Sequence, residues 1–274
     1  MSIIILAAII GSSIFAGSLS GRVNFQGKAP KKKTLKMNAD PVCGAAHKTP
    51  PYRQSFIMND EGYLKNVMVY LQDVKYDGKI PETQAVLDQN GCMYSPHVQG
   101  MMAGQELLIK NSDATLHNIH AMPTVNSEFN FAMPKVVKEK AIRIDKPEHA
   151  MYIKCDVHPW MKSYISIFDH PYFSVTNDTG HYQIDNIPPG TYKVIAWQEK
   201  FKDKETEEWK TLNATVTIDD GNISQDFTFV RETKKEKFIG SMKSFGSEPI
   251  PPSFPWPMVK GRFPLILFTR ANIY

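Results

Sequence analysis

Apolar and polar residues alternate along much of this chain with a period of two, which puts successive side chains on opposite faces of a strand. The strand-like runs are Val67-Met68-Val69-Tyr70-Leu71 and Leu107-Leu108-Ile109, which are apolar almost throughout, and Tyr164-Ile165-Ser166-Ile167-Phe168, Tyr192-Lys193-Val194-Ile195-Ala196 and Ala214-Thr215-Val216-Thr217-Ile218. Turn formers separate them: Asp77-Gly78, Asn90-Gly91, Asp178-Thr179-Gly180, Pro188-Pro189-Gly190 and Asp219-Asp220-Gly221. The 3.6-residue period of an amphipathic helix is scarce. Short strands at this spacing predict an all-β protein built from sandwiches or open barrels.

The two ends depart from the pattern. Ile3 to Ile10 form an unbroken apolar run, followed by Gly11-Ser12-Ser13 and by Ala16-Gly17-Ser18 ahead of the first charge, Arg22. This reads as a signal peptide over 1–18, and so as export to the periplasm or outside the cell. The run is shorter than the ~20 apolar residues a membrane span needs. Beyond Phe229 the alternation stops. Residues 231–274 carry eight Lys/Arg against three Asp/Glu, and six prolines crowd 249–264. A segment this rich in proline favours extended structure over sheet, and it reads as a tail, disordered or laid on another protein or a membrane surface. The formal charge of the whole chain is +4. Since the tail carries +5 and the rest of the chain −1, the body has no basic footprint for nucleic acid. Lys31-Lys32-Lys33 reads as a solvated loop.

Candidate chemistry is concentrated between about Thr83 and His170. Cys155-Asp-Val-His158-Pro-Trp-Met161 lies 38 positions after His117. One thiolate, two imidazoles and a weak axial thioether are the donor set of a type 1 copper ion. The C-x2-H-x2-M spacing delivers three of them from one loop, leaving His117 to come from another strand. Pro159 keeps His158 out of the helical region and removes one backbone donor from the loop. His120 lies on the strand face opposite His117 and reads as a hydrogen-bonding residue. His97 and His170 read as turn or edge residues, and Met101-Met102 as a strand-edge apolar pair. The chain has three cysteines. With Cys155 in a metal-type spacing, Cys43 and Cys92 remain as a candidate disulfide in an oxidising compartment. No C-x-x-C-H haem motif is present.

"NSDATLHNIHAMP" followed by "KCDVHPWM" resembles the cupredoxins of the amicyanin and plastocyanin type, over about 85 of the 274 residues. The resemblance implies a Greek-key β-sandwich with one type 1 copper per chain, held by His117, Cys155, His158 and Met161. It also gives Asn118 the role of tying the two ligand segments together. Two features depart from the family pattern: Pro159-Trp160 beside the loop histidine, and the insertion-like "TVNSEFNFAMPKVVKEK". In such proteins the loop histidine presents its ring edge through an apolar patch. Carried over, the resemblance makes His158 the electron port, ringed by Pro159, Trp160, Met122 and Pro123.

"SVTNDTGHYQIDNIPPGTYKVIAWQE" resembles the carboxypeptidase regulatory-like (transthyretin-like) β-sandwich, and "SGRVNFQGKAP" with "NVMVYLQD" resembles the opening strands of the same family. The expected organisation is an N-terminal β segment over 19–80, a cupredoxin domain over 81–170, a regulatory-like sandwich over 171–230 and the tail over 231–274. Insertion of the copper domain into a split sandwich and three units in series both remain open. The combination resembles bacterial exported proteins of the methylamine-utilisation and plastocyanin-like groups. It implies single-electron transfer with a redox protein such as a cytochrome c or a dehydrogenase as partner. Copper delivery, or a non-catalytic binding module, is the alternative. An oxidase or nitrite reductase would need a second copper site built from further histidines, such as His-x-His pairs, and none is present.

Overall fold

The computed structural model describes residues 16–203 and 206–231. The first strand, β1 (Gly17–Gly27), leads into a connection carrying one short helix, α1 (Pro41–Ala45). Three strands follow: β2 (Ile57–Met58), β3 (Leu64–Lys65) and β4 (Met68–Gln72). The next group comprises β5 (Ala85–Gln89), β6 (Tyr94–Ser95), β7 (Val98–Met102), β8 (Glu106–Asn111), β9 (His117–Met122), β10 (Phe129–Met133), β11 (Glu139–Arg143), β12 (Glu148–Lys154) and β13 (Lys162–Phe168). The described chain ends with β14 (Phe173–Val175), β15 (His181–Ile187), β16 (Gly190–Trp197), β17 (Leu212–Ile218), β18 (Asn222–Ser224) and β19 (Phe227–Arg231).

All five runs are strands, and the protein is all-β. One sandwich faces a five-stranded sheet in the order β10-β9-β12-β13-β7 with a four-stranded sheet in the order β11-β8-β5-β6. Its inward residues, among them Leu87, Leu107, Ile109, Ile119, Ile153 and Ile165, form one core. In the other sandwich, β1 pairs with β15, β18 and β19, and β4 lies between β14 and β16, with β17 on the far edge. Leu19, Val23, Leu71, Val194, Ile218 and Phe229 fill its core. Strands from before β5 and after β13 therefore share the same sheets. Gly17 and Ser18 already belong to β1, where Leu19 is fully buried, so the expected leader boundary at 18 falls inside a strand. The rest of that leader, and the tail after Arg231, lie outside the described residues.

Two features hold the sandwiches together. Met68, Val98, Ala150, Phe168 and Trp197 form a third apolar cluster drawn from both. Beside it, buried His97 meets buried Glu199 at 2.6 Å, and Lys162 pairs with the same carboxylate. His97 sits at the bend between β6 and β7, as the turn reading had it, and its buried ring joins the second sandwich to the strand that follows the ligand loop. Met101 and Met102 are buried strand residues, as the apolar reading had them. His170 is buried too, its Nδ1 accepting from the Tyr172 N–H at 3.1 Å.

The connection between β1 and β2 reaches across to the first sandwich. Leu35, Met37 and Cys43 are buried in that sandwich's core. Asp40 caps α1, its Oδ1 accepting from the N–H groups of Val42 at 2.7 Å and Cys43 at 3.2 Å, and Pro41 stands at the first helical position. Cys43 is bonded to Cys92, 49 residues away, pinning this segment over the end of the sandwich.

Candidate metal centre

The site begins with two hairpin ends. Asn90-Gly91-Cys92-Met93 joins β5 to β6, with positive φ at both Gly91 and Cys92, the backbone that a two-residue hairpin requires. The turn aims the N–H groups of Gly91 and Cys92 at one carboxylate, Asp113, each at 2.8 Å. Asp113 Oδ2 in turn accepts from Nε2 of His117 at 2.8 Å. His117 opens β9 and is fully buried. The insertion-like segment supplies β10, which pairs antiparallel with β9 so that Met133 lies opposite His117.

The second half is the loop between β12 and β13. It closes on itself: the Met161 N–H donates to the His158 carbonyl at 2.9 Å, and the Cys155 N–H to the Met161 carbonyl at 3.3 Å. The Asn118 side chain fastens it to β9, accepting at Oδ1 from the Asp156 N–H at 2.7 Å and donating from Nδ2 to Asp156 Oδ2 at 3.3 Å. Asn118 thus occupies the tying position that the resemblance implied.

Nδ1 of His117 and Nδ1 of His158 come within 2.9 Å, and Cys155 Sγ lies 3.8 Å from the latter. The three donor groups converge within 4.8 Å, all of them buried. Met161 is buried at the end of the loop and packs in the same core. The other groupings of metal-type side chains among the described residues, Asp40 with Cys43 and His158, and Cys92 with Asp113 and His117, overlap this same spot.

Both ligand-type rings are backed by carboxylates. Behind His158, Nε2 lies 3.2 Å from Asp40 Oδ2, which also accepts from the Thr115 hydroxyl at 2.9 Å. An imidazole whose Nε2–H donates rearward to a carboxylate turns its Nδ1 lone pair forward, the outer arrangement usual around a bound metal. Burial opposes the charged form of Asp113, but hydrogen bonds from His117, Cys92 and Gly91 outweigh it and hold the carboxyl below its ordinary range. Asp40 is likewise held low against burial by Cys43, Thr115, His158 and Val42. Burial would lower His117, yet Asp113 and Cys155 push it up to about 9. His158 goes down, through burial first and then repulsion from His117, with Asp40 opposing. Burial would raise the Cys155 thiol; His117 and the N–H groups of Asn118, His158 and Val157 bring it below the ordinary range, so the thiolate is favoured. Two forward-facing imidazole nitrogens and a stabilised thiolate fit a soft, thiolate-binding metal.

One expectation is overturned. The ring edge of His158 does not reach the surface: the residue is 2% exposed, covered by Asp40 and by the Cys43–Cys92 bridge, with Cys43 Sγ 3.7 Å from its Nε2. Trp160 is not a free docking residue either. Its Nε1–H donates to the Cys92 carbonyl at 3.0 Å, and its ring lies 5.0 Å from that of His158. Met122 is exposed, but it rings no histidine edge. A β1–β2 connection long enough to cross the end of the sandwich is the cause. His120 turns away from the site, its Nδ1 on Asp156 at 2.7 Å and its Nε2 on Glu128 at 2.8 Å.

Asp113 and Asp40 are the residues that sequence reasoning missed. Asp113, four before His117, sits inside the quoted motif. Asp40 gave no signal beyond Asp-Pro at a helix start.

Fold and site define an all-β protein with a buried centre of one cysteine and two histidines, closed by a methionine loop. No protein-family model matches the chain, and no curated protein matches it. Among solved structures, it is similar to a Cu(I) mutant form of amicyanin at 15% identity over 36% of this chain and 97% of that one, with a TM-score of 0.28. A purple cupredoxin from Nitrosopumilus maritimus aligns at 17% identity over 30% and 98%, TM-score 0.26. The copper nitrite reductase of Thermus scotoductus aligns at 22% over 36% of this chain, TM-score 0.28, and the chain spans about a quarter of its length (26%).

Proposed function

We propose that the chain is an exported, non-enzymatic type 1 copper protein that passes single electrons between redox partners, with 81–170 as the copper-binding unit. The observation that carries this reading is the convergence of the His117 and His158 Nδ1 atoms on Cys155, each ring oriented from behind by a carboxylate. Copper bound there would supply a one-electron couple between its two common oxidation states. The protein's part is to hold the donors in place before the metal arrives, so that little has to reorganise when an electron does. His117 and His158 are fixed by Asp113 and Asp40, the thiolate by backbone N–H groups, and Met161 by the closed loop. The buried, hydrogen-bonded donor set argues against copper delivery, which favours exposed and loosely held ligands.

Cu(II) titration of the metal-free protein tests the reading. One equivalent per chain should give an intense visible thiolate-to-copper band and a reversible one-electron wave. Cys155→Ser should abolish the band while the chain stays folded, and Met161→Leu should keep the colour and raise the potential. A Cys155→Ser protein that stayed blue, or a second copper with turnover, would refute it.

A further inference from the structure

One region of the surface gathers cations that the electron-carrier reading leaves unexplained. The Arg53 N–H donates to the Lys33 carbonyl at 2.9 Å and the Leu35 N–H to the Pro51 carbonyl at 2.8 Å, so the lysine run lies beside the strand-like stretch carrying Arg53. Lys200 follows β16, and Arg231 ends β19. Together Lys31, Lys32, Lys33, Arg53, Lys200 and Arg231 line a cleft of about 280 Å³. No carboxylate lines it, and none of the six has an ion-pair partner among the described residues. The ammonium of Lys200 is held below the ordinary lysine range by burial first, then by repulsion from Lys162, Arg53 and Lys33, with Glu199 opposing. A concave surface lined by one sign of charge focuses its field outward and gathers the opposite charge.

The cleft adjoins the candidate centre. Arg53 also lines a smaller cavity, of about 60 Å³, together with His97, Pro159, Trp160, Met161 and Lys162. That cavity reaches Met161 and the tryptophan against the His158 ring, on a side that the Asp40 cap leaves open. Cations from four separate stretches of chain, spread next to an opening onto the ligand loop, suit an extended acidic surface better than a single small anion.

We infer that the basic cleft docks an acidic redox protein, whose carboxylates pair with it while one electron passes across Trp160 and Met161. The inference rests on the electron-carrier reading. The partner's reduced group loses one electron and the copper site gains it, or the reverse, with no bond made or broken.

The test uses the copper-loaded full chain and reduced acidic and basic c-type cytochromes in stopped flow. Each rate is divided by that for hydroquinone, a neutral reductant, measured on the same variant. Lys32→Glu/Arg53→Glu is compared with Lys193→Glu/Lys79→Glu, which changes net charge equally at positions lining neither the cleft nor the cavity. At low salt the acidic cytochrome's ratio should fall about tenfold or more in the cleft variant, and its salt dependence should flatten. The control variant and the basic cytochrome should show no such fall. Equal ratios in the two variants would overturn the docking site, as would inorganic phosphate binding lost in the cleft variant with unchanged cytochrome kinetics. A parent protein that does not exchange electrons with hydroquinone would overturn the electron-carrier reading, and the docking site with it.

Discussion

Replacing Asp40 with asparagine isolates the part that a distant segment plays in the candidate centre. Asp40 makes two kinds of contact. Its Oδ1 caps α1 through Val42 and Cys43, and its Oδ2 accepts from Thr115 and faces His158 Nε2 at 3.2 Å. Asparagine is as good a helix cap as aspartate, so α1 and the disulfide beside it should persist. What changes is the atom behind His158: the amide is neutral, and an NH₂ group there cannot accept the ring's N–H. A hydrogen bond to a charged group contributes about 1.5–3 kcal/mol, against about 1 for a neutral one. Removing an outer partner of a metal-bound histidine typically costs about 10–100-fold in affinity. The carboxylate's negative charge favours the more positive oxidation state, so the loss should fall mainly on Cu(II). Each tenfold loss confined to Cu(II) raises the potential by about 59 mV for one electron. Spectroelectrochemistry of the blue band should therefore find Asp40→Asn about 60–120 mV more positive, with a metal-free protein that stays folded although its melting temperature falls. An unchanged or lowered potential in a folded, copper-loaded variant would refute the argument that Asp40 polarises His158.

The remaining predictions concern the cap, the brace and acid sensitivity. Denatured, unreduced, metal-free protein should show one reactive thiol, Cys155, and three would refute the bridge; the Cys43→Ser/Cys92→Ser variant should lose about 4 kcal/mol by loop entropy for a separation of 49 residues. Trp160→Glu should lower copper affinity and melting temperature together, because the indole braces the loop against Cys92 and His158; a stable variant with normal copper affinity would restore it as a free surface residue. His149, packed among Tyr70, Trp197 and Trp209, is held by burial at about 4, against 6.5 for an ordinary histidine. The unfolded chain therefore takes up a proton first as pH falls, and stability is lost between about pH 6.5 and 4, by about 3 kcal/mol at most. His149→Phe should flatten that loss in urea melts at pH 7.5 and 4.5, and parallel losses in both proteins would refute it.

The chain's own pattern determined what depends on neighbours in sequence. Alternation at 214–218, and short β-rich apolar runs bounded by turn formers at 67–71, 107–109, 164–168 and 192–196, mark strands because such segments suit a pleated sheet covered on one or both faces. Asn90-Gly91 marks a turn, although the positive-φ pair that makes the hairpin is Gly91 and Cys92, one position further on. Cys155, His158 and Met161 are legible as a group because one loop carries them, and His117 because its motif names its partner. Tertiary structure decided what depends on residues far apart. β1 pairs with β15, β18 and β19 across the whole of the intervening sandwich, and strand alternation does not encode which edge pairs with which. Asp40 arrives behind His158 by way of a helix cap and a disulfide from 115 and more positions away, and the same crossing segment buries the ring edge that local sequence would have left at the surface. A side chain's exposure is set by whatever covers it, and in this protein the cover comes from the connection between β1 and β2.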